Sequence, residues 1–371
     1  MNKRIWLSAP AMCGKEIEFI NQAFDDNWIA PLGPNVNAFE DEMCVYIGAK
    51  YAVAMNTGTA AIHMALKYVG TESGDIVFCS SLTFAASCNP VIYQNATPVF
   101  IDSEPESWNM SPAALQKAFE KYPAPKAVIV VNLYGQSADM NKICDICNRY
   151  NVPIIEDAAE SLGATYEGKM SGTIGKFGAL SFNGNKIITT SGGGMLICPD
   201  EESKKKILKW ITQSRDNARH YEHSELGYNY RMSNICAGIG RGQLTAINSR
   251  IKKKKEIYAA YKEAFSDIAE IEMTPICRYG EPNYWLSCLT VKEGCKVNPT
   301  DIIIALENDN IESRPIWKPM HLQPYYKNCD YFPNNRDVSA DIFNRGLCLP
   351  SDVNMSDGDL ERVVSIIRRR F

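Results

Sequence analysis

The chain has 371 residues, 45% of them hydrophobic and 22% charged. That balance suits a globular protein with a sizeable core and room for two domains, and it excludes a disordered or fibrous one. The formal net charge of −4 argues against a nucleic-acid partner, which calls for a clearly basic face.

In chain order, short β-branched runs at 51–55, 75–79, 97–102, 126–132 and 152–157 alternate with segments of helical spacing: TAAIHMALKYVG, ASCNPVIYQN, SPAALQKAFEKY and DMNKICDICNRYN. Two more runs, at 178–182 and 194–198, follow close together. This rhythm predicts an α/β fold, a largely parallel sheet with helices on both faces. A long helical pattern, AGIGRGQLTAINSRIKKKKEIYAAYKEAFSDI, then leads into a less regular C-terminal part. The expected division is a large domain over 1–250 and a small one over 251–371. KKKKEIYAAYK and IIRRRF read as solvated helix faces. No run of about 18 uncharged apolar residues occurs, and MNKRIWLSAPAMCGKE has no apolar stretch of signal-peptide length. A cytoplasmic location without membrane contact is therefore expected.

Most of the 13 cysteines lie inside apolar runs, where a free thiol behaves as a small buried hydrophobe. The single C-x-x-C, Cys144 and Cys147, has no second pair or nearby histidine to complete a zinc site. No metal is expected.

Ligands of such sheets sit at the carboxyl ends of the strands. After YAVAM comes Asn56-Thr57-Gly58-Thr59, opening into a helix whose first amides either hold a phosphate or merely follow an N-cap. Phe84, just past a strand, is a stacking platform or a core ring. Asp157, ending a central strand, caps a helix or remains ionised beside a cationic partner such as a protonated ring nitrogen. Lys186 lies in the polar loop NGNKIITTSGGG, after Ser181 and Asn183. A desolvated lysine attacks carbonyls, although a solvated loop lysine is the alternative. Taken together, a phosphate cradle, a flat platform, an acid for a pyridinium nitrogen and a nucleophilic amine are what pyridoxal phosphate requires. The glycines at 192–194 serve backbone geometry or close approach.

NTGTAAIHMAL, IEDAAESLGATY, GALSFNGNKIITTSGGGM and GYNYRMSN resemble the signatures of the DegT/DnrJ/EryC1/StrS sugar aminotransferases, fold-type I pyridoxal phosphate enzymes. NWIAPLGPNVNAFE and SRPIWKPMH resemble most the UDP-4-keto-6-deoxy-GlcNAc transaminases of the UDP-N-acetylbacillosamine pathway. The resemblance implies a large domain with a mostly parallel sheet and a smaller C-terminal α/β domain. Lys186 would be the Schiff-base lysine and proton shuttle, Asp157 the partner of the pyridine nitrogen, and Phe84 the stacking ring. Gly58, Thr59 and Ser181, with Asn183 nearby, would hold the phosphate. Asn229 would reach the phosphate of a neighbouring subunit in a homodimer with shared sites.

Glu160, where many relatives carry glutamine or histidine, would meet either the cofactor's phenolic oxygen or the sugar. Asn27, Trp28, Ile29, Ala30, Trp317 and His321 would line the nucleotide-sugar side. Trp28 and Trp317 also read as core aromatics, and His321 as a satisfied surface histidine. Arg231 would bind substrate or pair with a carboxylate at the subunit interface. The implied reaction moves an amino group from L-glutamate to C4 of UDP-2-acetamido-2,6-dideoxy-4-ketoglucose. Alternatives are a 3-keto or dTDP-linked sugar, or a non-catalytic relative that binds the cofactor.

Overall fold

The computed structural model describes residues 2–371. An eight-stranded sheet runs in the order Tyr51–Met55, Gly194–Cys198, Phe177–Ser181, Ile154–Asp157, Ala127–Val131, Ile76–Ser80, Thr97–Ile101, Tyr331–Phe332. Only Gly194–Cys198 runs antiparallel to its neighbours, so the carboxyl ends of the other seven strands share one edge. Ala127–Val131 is buried at every position, because a central strand covered by helices on both faces needs an unbroken apolar run. Several helices start on side-chain caps: Thr57 accepts from Ala60 N–H, Ser111 from Ala114, Asp139 from Lys142 and Asp200 from Ser203.

A second sheet, wholly antiparallel, orders Ile271–Met273, Ser287–Val291, Gly346–Leu349 and Arg314–Pro315. Its core joins Leu289, Val291 and Leu347 to Ile257 and Tyr261 of the helix Ile247–Ala264 and to Val363 and Ile367 of the helix Asp357–Arg368.

Three features depart from expectation. The long helical pattern divides into Asn234–Leu244 and Ile247–Ala264. Across residue 250 the chain also trades segments: Ile5 bridges Ile311 and joins the second core, while Tyr331–Phe332 extends the first sheet. These pairings are long-range, so no local periodicity announces them. Finally, in the lysine run 252–255 Lys254 is buried, with only 2% of its surface exposed, so that run is not uniformly solvated.

All 13 cysteines are free, and Cys147 of the C-x-x-C faces the core. Among the described residues no group of metal-binding side chains occurs, and no helix is long and apolar enough to cross a membrane.

Candidate active site

A cavity of about 380 Å³ opens at the shared strand edge, a size suited to a cofactor with part of a substrate. Gly58, Thr59, Phe84, Asp157, Glu160, Ser181, Asn183, Lys186 and Trp317 all line it. Each comes from a strand end or the loop beyond it. Thr57 accepts from Ala60 N–H at 3.0 Å, which leaves the Gly58 and Thr59 amides at the positive end of the helix Gly58–Tyr68. Ser181, the last residue of its strand, faces Gly58, where a side chain's Cβ would stand 3.1 Å from the Ser181 Cβ. Gly194 allows close approach at the same place, since a Cβ there would run into the Thr57 carbonyl.

Asp157 ends its strand with 5% of its surface exposed. Its Oδ2 accepts from Ser87 Oγ at 2.6 Å and its Oδ1 from Ala159 N–H at 3.1 Å. Burial pushes the carboxyl above its ordinary range, opposed by Ser87, Ala159 and the Lys186 charge. A cation held against it would remove that penalty.

Lys186 Nζ lies 3.7 Å from Glu160 Oε1 and 3.9 Å from the centre of the Trp285 ring. Glu160 is held from both sides, by Tyr134 N–H at 2.8 Å on Oε2 and Trp317 Nε1–H at 3.3 Å on Oε1. Burial pushes Glu160 up as well, chiefly against the Lys186 charge and the Tyr134 N–H. Tyr134 takes φ +50° to present that amide, a strained conformation of the sort that gathers at functional sites. The Tyr134 hydroxyl in turn accepts from Trp317 N–H at 2.9 Å. Phe84 is 54% exposed at the cavity, its ring centre 5.2 Å from that of Trp317.

Other expected residues lie elsewhere in the chain. Asn27, Trp28 and Ile29 are exposed and, with Ala30, stand outside the cavity. Their loop is tied to Asn234, which donates to the carbonyls of Ala30 and Trp28. Asn229 is also exposed and outside the cavity, its carbonyl accepting from Asn56. Arg231 does not line the site: buried, it pairs with Glu40 of its own chain and donates to the Ala54 carbonyl. His321 turns away too, with Nδ1 2.7 Å from Ser81 Oγ, Nε2 3.0 Å from Asp337 Oδ2, and the ring stacked on Tyr331 at 3.7 Å. Its role here is to pin the segment that carries Trp317. Sequence reading missed Trp285, Thr83 and Asn185, which line the cavity. NYWLSC gave no sign that one of its apolar residues faces a ligand.

These residues fit pyridoxal phosphate. Small residues and free helix amides form the phosphate end, an under-neutralised buried acid waits for the ring nitrogen, and a flat ring is left half-exposed. An amine stands between them.

A model of the DegT/DnrJ/EryC1/StrS aminotransferase family matches residues 10–368. EpsN of Bacillus subtilis, named as a pyridoxal phosphate-dependent aminotransferase, is 49% identical, covering 100% of this chain and 97% of its own. GDP-perosamine synthase of Caulobacter vibrioides is 35% identical over 98% of this chain and 97% of its own. Spr1654 of Streptococcus pneumoniae, named as a sugar aminotransferase and solved in its PLP form, superposes with a TM-score of 0.91 at 25% identity, covering 100% of both chains.

Proposed function

The chain belongs to the DegT/DnrJ/EryC1/StrS aminotransferase family and is a pyridoxal phosphate-dependent sugar aminotransferase; from that premise we propose that it moves the amino group of L-glutamate to a nucleotide-linked 4-keto-6-deoxy sugar. The sugar we assign is UDP-2-acetamido-2,6-dideoxy-4-ketoglucose. One observation carries the reading: Lys186, Asp157 and the Gly58–Thr59–Ser181 cradle surround one cavity.

When bound, pyridoxal phosphate supplies an electron sink for the carbanion formed at the reacting carbon. The residues of this chain do the rest. Lys186 would anchor the group, and its neutral amine would take a proton from the donor's Cα in the first half of the reaction and deliver one to C4 of the sugar in the second. Asp157 keeps the ring nitrogen protonated, supplying the electrostatic part of the catalysis. Phe84, half-exposed at the cavity, would offer a flat surface to the ring. Glu160, 3.7 Å from Lys186 Nζ, would hold the ammonium that Lys186 becomes once it has taken that proton. Trp317, fixed by Tyr134 and Glu160, bounds the side where the sugar enters and limits water there.

Asn229 and the loop 27–30 we assign to the site of a second copy in a homodimer. Their exposure outside their own cavity and the apolar character of Trp28 and Ile29, 49% and 56% exposed, support this.

The test is an absorbance spectrum of the purified holoenzyme, first with L-glutamate and then with the UDP-keto-sugar. Loss of the visible band with glutamate and its return with the sugar is expected. If glutamate removes the band and this sugar fails to restore it, the sugar assignment is overturned and other nucleotide-linked keto-sugars are next. If glutamate leaves the band unchanged, the donor assignment falls.

A further inference from the structure

Among four consecutive lysines, Lys255 pairs with Glu281 at the surface, whereas Lys254 points into the molecule. Its ammonium has no carboxylate within ion-pair distance among the described residues. Instead it donates to the Ser351 carbonyl at 2.7 Å, the Trp285 carbonyl at 2.9 Å and Ser8 Oγ at 3.3 Å. Those acceptors belong to three segments far apart in sequence: the N-terminal stretch, the start of strand Ser287–Val291 and the turn after strand Gly346–Leu349.

Two of the three lead directly to the catalytic loop. Ser8 Oγ, which accepts from Lys254, donates to the Asn185 carbonyl at 3.1 Å. Trp285, whose carbonyl accepts from Lys254, donates its Nε1–H to the same Asn185 carbonyl at 2.7 Å and lays its ring under Lys186 Nζ. The third acceptor closes the circuit, because Ser351 N–H donates to the Leu7 carbonyl, one residue before Ser8, at 2.7 Å.

We propose that Lys254 is a positioning residue: its ammonium gathers Ser8, Trp285 and Ser351 so that two hydrogen bonds converge on the Asn185 carbonyl and fix the peptide that carries Lys186. The importance of Lys186 rests on the function proposed above; the clamp itself does not.

A side chain kept for packing alone would not place its amine against three acceptors. Burial pushes Lys254 down to about 7, with Arg250 adding to the shift and Asp352 opposing it. Such a penalty is tolerated where all three donors are used, and leaving buried carbonyls unpaired is itself costly. The placement also links the second sheet to the catalytic loop through Trp285.

The test is hydrogen exchange by mass spectrometry on the cofactor-free protein, comparing wild type with Lys254→Met, which keeps the volume and removes the ammonium. Exchange in the peptide 182–189 is expected to rise about tenfold or more while that in strands Ala127–Val131 and Ile154–Asp157 is unchanged. In the loaded enzyme kcat should fall about tenfold with little change in KM, because the loop is misplaced after substrate has bound. Unchanged exchange at 182–189, or an equal rise throughout the protein, would overturn the proposal. Should Lys254→Met not fold, Ser8→Ala decides the matter. It breaks one of the two links to Asn185, and it must loosen the same peptide by a smaller factor or the clamp is refuted. Since exchange is read without cofactor or sugar, a failure of the substrate assignment leaves this outcome untouched.

Discussion

The cofactor side of the cavity is built from residues at the ends of neighbouring strands, while Asn27 to Ala30 and Asn229, expected to serve the same reaction, stand outside it. Thr57–Gly58, Phe84, Asp157 and Ser181 reach one place because the sheet brings its carboxyl ends together. No such frame gathers the second group, whose carbonyls accept from backbone and side-chain N–H groups of Asn234, at the start of helix Asn234–Leu244, and from the side chain of Asn56. On the proposal above, the difference separates chemistry that one chain contains from recognition that a second copy completes. Substitutions in the first group should therefore act on the chemical step of their own chain. Substitutions in the second should act on the site of the partner subunit.

The largest effect is expected at Lys186. Lys186→Ala should lower turnover by about 10⁴-fold or more and remove the visible band that glutamate bleaches, because among the described residues no other amine lines the cavity. Steady-state rates and the spectrum check this, and a variant still cycling with glutamate would take Lys186 out of its role. Asp157→Asn comes next. Asn keeps the shape, its one oxygen can still accept from Ala159 N–H and its NH2 can donate to Ser87 Oγ, so the fold should survive while kcat drops by about 10²- to 10³-fold through loss of charge at the ring nitrogen. Near wild-type rates with an unchanged melting temperature would make Asp157 a structural acid.

The comparison is sharpened by mixing subunits. If Asn229 serves the neighbouring site, Lys186→Ala and Asn229→Ala homodimers are both impaired. In a one-to-one mixture half the dimers are mixed, and each then has one intact site. Remixing should restore about a quarter of wild-type activity. No recovery, with mixed dimers verified by mass spectrometry, would return Asn229 to its own chain.

Much of this first group was legible in the sequence, because both signals it depends on are local. Short unbroken β-branched runs mark strands, and the small or charged residues just beyond them mark strand ends. Asp157 and Lys186 could be read in that way. Trp285 could not, since an aromatic in a buried run looks the same whether it faces core or ligand. Lys254 was hidden among four identical neighbours, and nothing in the run says which one the helix turns inward. Arg231 pairs with Glu40 across 191 positions, a separation that conceals any ion pair from a linear reading. The long-range exchange of Ile5 and Tyr331 between the two halves was hidden for the same reason.

The smallest expected effect concerns the seam between the two groups. His63 lies on the helix whose first amides form the phosphate end, and it packs edge-on against Tyr228 and tilted against Tyr230, the residues that flank Asn229. Its Nδ1 is 3.3 Å from the Tyr230 hydroxyl and its Nε2 has no partner. Burial, reinforced by Lys67, lowers its pKa from 6.5 to about 4. The folded state therefore binds fewer protons than the unfolded state between those values. Its stability is complete above about pH 6.5 and declines as pH falls towards 4, by at most about 3 kcal/mol from this one group. His63→Gln cannot take up that proton, so its melting temperature should fall less steeply than that of wild type between pH 7 and 4.5. Parallel curves would mean that His63 takes up its proton as readily in the folded state as in the unfolded one. If instead the wild-type curve alone bends, and subunit exchange quickens over the same range, protonation at His63 loosens the segment carrying Asn229 before it unfolds the helix. The seam would then be the first part of the site to yield to acid, ahead of the strand ends that hold Asp157 and Lys186.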